Sequence, residues 1–157
     1  MENLFIDFLK VVEPQHQNFV KEIHESLIAS GYKIKVENKA TGYFVSYSHP
    51  KTKQSVFNFF FRKKGMKVRV YPKKINIEIL SKLSSTMRKE LDSAMICRRL
   101  VNPADCNQKC VMGYDFTLDG KRYQKCRYNC FEFFVTAESM PVVMELVKGE
   151  LWNNTNC

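Results

Sequence analysis

The sequence predicts an α+β protein, a mostly antiparallel sheet flanked by helices. Three observations point there. Near both ends of the chain, apolar residues recur at spacings of three and four, the helical period. Between them the pattern changes to strict alternation, the strand period. Two short turns, Arg62-Lys63-Lys64-Gly65 and Asp119-Gly120, each join a pair of alternating segments, so strands adjacent in sequence run antiparallel.

Leu4, Phe5, Phe8 and Val12 make 3–12 a short amphipathic helix that stops before Pro14. Phe19, Ile23 and Leu27 repeat every four residues, giving a second helix over 15–30 that Gly31 ends. Tyr32, Ile34 and Val36 then share one face of a strand, and Lys33, Lys35 and Glu37 the other. Residues 38–42 turn, and 43–48 form the next strand. Residues 54–61 and 66–71 form a hairpin. Setting Phe61 opposite Met66 puts Phe59 against Val68 and Phe57 against Val70, all on one side. Asn58, Phe60, Lys67, Arg69 and Tyr71 then face the other way. A slip of one residue would bury the charges, so the pattern fixes the register.

Ile79, Leu80, Leu83, Met87 and Leu91 stripe a helix across 76–94, broken near Ser84-Ser85. Residues 95–111 are irregular and rich in cysteine. A second hairpin follows, Tyr114 to Leu118 and Lys121 to Cys126, then a strand over 131–135. Thr136 caps a closing helix whose buried side carries Met140, Val143, Met144, Val147 and Leu151, with Pro141 in its first turns. The order is two helices, four strands, a helix, a cysteine loop, three strands and a helix. It describes one compact domain over 1–157, with 1–94 and 95–157 as its candidate halves.

The formal charge of +9 is localised. Residues 51–74 hold nine basic residues and no acidic one, while the rest of the chain is balanced. Such a stretch attracts an anionic partner. RNA or DNA is the expected one. Arg62, Lys63, Lys64, Lys67 and Arg69 would meet phosphates, and Phe60 and Tyr71 would stack on unpaired bases. The competing expectation is a solvated face whose lysines guard a sheet edge.

Six cysteines stand at 97, 106, 110, 126, 130 and 157, five of them within 34 residues. Cys106-x3-Cys110 and Cys126-x3-Cys130 flank the Asp119-Gly120 hairpin, which brings the two pairs toward its open end. Four thiolates converging there suit tetrahedral zinc, with Cys97 as a substitute ligand. Buried reduced thiols and a redox pair are the alternatives. Lys109, Lys125 and Arg127 lie next to the cysteines and would offset thiolate charge.

No phosphate-loop, dinucleotide or hydrolase motif is present, and His16, His24 and His49 are scattered, which reads as surface placement. The expected function is therefore binding rather than catalysis. The alternative is a small enzyme using a reactive cysteine, best placed at Cys126, or a metal with Asp105 or Glu132 as base. Met140, Met144 and Trp152 offer a further partner surface on the last helix. No run of 18 apolar residues and no basic-led apolar start occurs, so the expected location is the cytoplasm, without a membrane partner.

Overall fold

The structure is a computed structural model, and it describes residues 2–155, with side chains described as far as 151. The side chains of Trp152 and Cys157 lie outside the described ones.

Helix α1 covers Glu2–Val11, a single 3₁₀ turn covers Pro14–His16, and α2 covers Gln17–Ala29. Gly31 leaves α2 at φ +84°, the left-handed conformation that ends helices and favours glycine. Strands β1 (Lys33–Lys39), β2 (Gly42–Ser48), β3 (Ser55–Arg62) and β4 (Gly65–Val70) then form a meander. The helical stripe beyond it is in two pieces, α3 (Ile77–Leu80) and α4 (Ser85–Ser93). The break comes where Ser84 accepts a hydrogen bond from the Met87 amide and caps α4. The cysteine loop contains one helical turn, α5 (Arg98–Val101). Strands β5 (Tyr114–Leu118), β6 (Lys121–Lys125) and β7 (Glu132–Phe134) precede the closing helix α6 (Ser139–Thr155). Thr136 and Ser139 exchange side-chain-to-amide hydrogen bonds ahead of α6, the capping role expected of Thr136.

Five strands make one antiparallel sheet in the order β1-β2-β3-β4-β7, and β5-β6 make a second. The β3–β4 register is the one set by the aromatic pattern, with Phe57 opposite Val70, Phe59 opposite Val68 and Phe61 opposite Met66. Leu118 pairs with Lys121 around an Asp119-Gly120 turn in which both φ angles are positive.

The core lies on one face of the large sheet. Val45, Tyr47, Phe57, Phe59, Val68 and Phe133 are fully buried there. Phe8 of α1 and Phe19 of α2 bring their rings within 5.7 and 6.3 Å of Phe59. Along α6, Val142, Val143, Leu146 and Val147 are buried, and Met140 and Met144 pack partly buried against the same core. Phe131 joins the small sheet to this body. Its carbonyl accepts from the Val70 amide, and its ring lies 5.0 Å from Tyr114 and 5.9 Å from Phe116. Among the described residues, no helix is long and apolar enough to cross a membrane.

Candidate metal and binding sites

The second face of the large sheet is not the open basic platform that alternation suggests. Phe60 is 2% exposed and Tyr71 4%, so neither ring is free to stack on a base. Lys67 and Arg69 do sit on that face, but their side chains are only 16% and 17% exposed. The covering groups come from far along the chain. Strand β7 pairs with β4 so that Glu132 lies opposite Arg69 and Phe134 opposite Lys67. Arg69 donates from Nε and Nη2 to Oε2 of Glu132, at 3.1 and 2.7 Å. Lys67 Nζ lies 3.3 Å from Glu132 and 3.8 Å from Glu90 of α4, above the Phe134 ring. Two of the five predicted phosphate contacts are thus spent on internal ion pairs. The remaining basic residues separate. Arg62, Lys63 and Lys64 are exposed at one end of β3, while Lys51, Lys53, Lys73 and Lys74 are exposed toward the other. A strand of eight residues, about 26 Å, lies between the two groups.

Lys67, Glu90 and Glu132 line a cleft of about 410 Å³ with Lys89, Asn129 and Phe134. Burial, above all, raises the Glu90 carboxyl from its ordinary value. The Phe134 amide and Lys67 oppose that shift, and Glu132 adds to it. Glu90 also accepts a hydrogen bond from the Phe134 amide, so it anchors β7 to α4.

The cysteines are arranged differently from the paired spacing. Cys97, Cys106, Cys110 and Cys126 line one pocket of about 150 Å³. Cys130 is 1% exposed and belongs to the hydrophobic core, where burial pushes its thiol well above the ordinary range. Its amide donates to the Cys126 carbonyl, and this tight turn carries the side chain away from the pocket. Cys97 takes the fourth place because residues 95–97 add to the edge of β6. The Cys97 amide donates to the Gln124 carbonyl, the Cys126 amide donates to the Met95 carbonyl, and Ile96 faces Lys125. Gly113 permits that approach: a Cβ there would lie 2.2 Å from the Lys125 carbonyl oxygen and 2.9 Å from the Cys97 sulfur.

Around the pocket, Cys106 holds φ +61°, a left-handed conformation uncommon for a residue with a side chain. Arg99 donates to the Cys110 carbonyl, while its buried Nε has no hydrogen-bond partner. The neighbouring cations are partly committed. Lys125 Nζ donates to the Asp92 and Ala94 carbonyls at the end of α4, and Arg127 lies over the Tyr71 and Tyr114 rings. The five described cysteines are free thiols. Among the described residues, no three His, Cys, Asp or Glu side chains stand close enough together to hold a metal as they lie. No protein family, curated protein or solved structure matches the chain.

Proposed function

We propose that the protein is a binding protein whose cysteine loop is organised by a zinc ion held by the thiolates of Cys97, Cys106, Cys110 and Cys126. The observation that carries this reading is that these four side chains line one small pocket although they come from three separate stretches of chain. The loop over 102–112 has no helix or strand of its own, so its sulfurs can draw in to the Zn–S distance of about 2.3 Å without breaking regular structure. Arg99 lines the same pocket with an unpartnered Nε, and a hydrogen bond from it to a metal-bound sulfur would lessen the charge of a four-thiolate site. Metal would supply the stability that this loop lacks in apolar burial of its own.

Metal analysis of the protein purified without added zinc tests the proposal. About one equivalent of zinc is expected, lost in Cys97→Ser and kept in Cys130→Ala. Less than about a tenth of an equivalent overturns the reading, and so does loss of metal in Cys130→Ala with retention in Cys97→Ser. Fast alkylation of Cys126 alone in the native protein would favour the reactive-cysteine alternative instead.

A further inference from the structure

Eleven large apolar side chains are exposed among the described residues, and six of them lie between 95 and 128. Soluble proteins scatter such residues singly, and a contiguous group marks an interaction surface. Four of the six are grouped here. Met95, Ile96, Met112 and Tyr128 wall the same pocket that the four thiols line. Ile96 is 61% exposed although it sits in extended backbone at a sheet edge.

That edge is unfinished. The two hydrogen bonds flanking Ile96 use the backbone of Met95 and Cys97, so the antiparallel pattern turns the N–H and C=O of Ile96 away from β6. An edge with apolar side chains and outward backbone groups is a template for another strand. Charge indicates what kind. The two segments around the pocket carry Arg98, Arg99, Lys109, Lys125 and Arg127 against a single acid, Asp105, which lies 3.7 Å from Arg98. With Arg99, Lys125 and Arg127 turned inward, the exposed Arg98 and Lys109 still outnumber Asp105 on the rim.

We infer that this face docks a partner protein through an extended segment in which acidic residues alternate with apolar ones. The segment adds to the Ile96 edge and sets its apolar side chains against Ile96 and Met112. Its acidic side chains meet Arg98 and Lys109, both exposed. Alternation is required because an added strand directs successive side chains to opposite faces. The inference rests on the zinc reading only for the stiffness of the loop, since the exposed residues and the open edge are present in the free chain.

Random peptides displayed on phage, selected against the full-length protein, provide the test. The recovered sequences are expected to alternate Asp or Glu with apolar residues. Synthetic copies should bind at least about tenfold more weakly to Ile96→Asp and to Arg98→Glu, and should weaken as salt rises. Both positions are exposed, and urea midpoints matching the parent confirm that the variants fold. Recovery of sequences without acidic bias overturns the inference. So does equal binding to both variants, or binding only to phosphatidylserine-containing vesicles or a single-stranded oligonucleotide. Metal content measured on the same samples separates the two proposals. Metal present with no acidic peptide recovered overturns docking alone. Selective peptide binding without metal supports docking and overturns zinc.

Discussion

Gly113 is the residue on which the cysteine pocket turns. It is not needed for a turn conformation; it is needed for room, because the Lys125 carbonyl and the Cys97 side chain meet where its Cβ would be. Gly113→Ala must push Cys97 out of place or bend β6, and overpacking of this kind costs about 1–3 kcal/mol. The urea midpoint should fall accordingly, and the zinc content with it; an unchanged midpoint would mean that Cys97 does not pack there. The sequence does not single out this glycine, since nothing local announces a contact with a residue 16 places earlier. Cys130 teaches the converse. Its spacing from Cys126 looks like a ligand pair, but three intervening residues close a tight turn, and the strand that follows draws Cys130 into the core.

At the level of elements, legibility follows from which face is apolar. The β3–β4 register was readable because a slip would have exchanged phenylalanines for charges. What covers the polar face was not, because Glu90 and Glu132 belong to α4 and β7, and no local pattern links them to Lys67 and Arg69. The seam of α1, α2 and β2 shows the same limit. His24 has the look of a surface residue on α2, yet its ring stacks on Phe5 at 3.8 Å and its Nδ1 lies 2.9 Å from the Tyr47 hydroxyl. Burial lowers its pKa from the ordinary 6.5, with Glu25 opposing weakly. The folded state therefore favours the neutral ring, and the unfolded chain binds the extra proton first as pH falls. Stability should be full above about pH 6.5 and decline as pH drops through that value. Urea midpoints across this window should show the slope, and His24→Gln, which can still bond Tyr47, should flatten it. A slope that survives in His24→Gln would assign it elsewhere.

Over the whole molecule, the excess of +9 is divided rather than gathered. Two of its nine sources are tied to Glu90 and Glu132, and the others stand at opposite ends of β3. Charge reversal should separate these roles. Arg69→Glu places a second carboxylate beside Glu132 in a partly buried site and should cost on the order of 3 kcal/mol, visible in the urea midpoint. Lys63→Glu with Lys64→Glu should change that midpoint by less than about 0.5 kcal/mol. Any oligonucleotide binding at low salt should vanish in the second pair. A double reversal at the hairpin tip that unfolds the protein, or an Arg69→Glu that leaves stability unchanged, would contradict the placement of these charges.

The pairing of β7 with β4 also sets an order of events during synthesis. When residue 94 leaves the ribosome, four strands of the large sheet exist, but Arg69 has no counter-charge and β4 is an open edge. Both needs are met by the same three residues, Glu132–Phe134, which lie about 60 positions beyond β4 in the chain. Until then the nascent chain carries a strand edge next to Phe60, with Lys67 and Arg69 as its only guards against pairing with a neighbour.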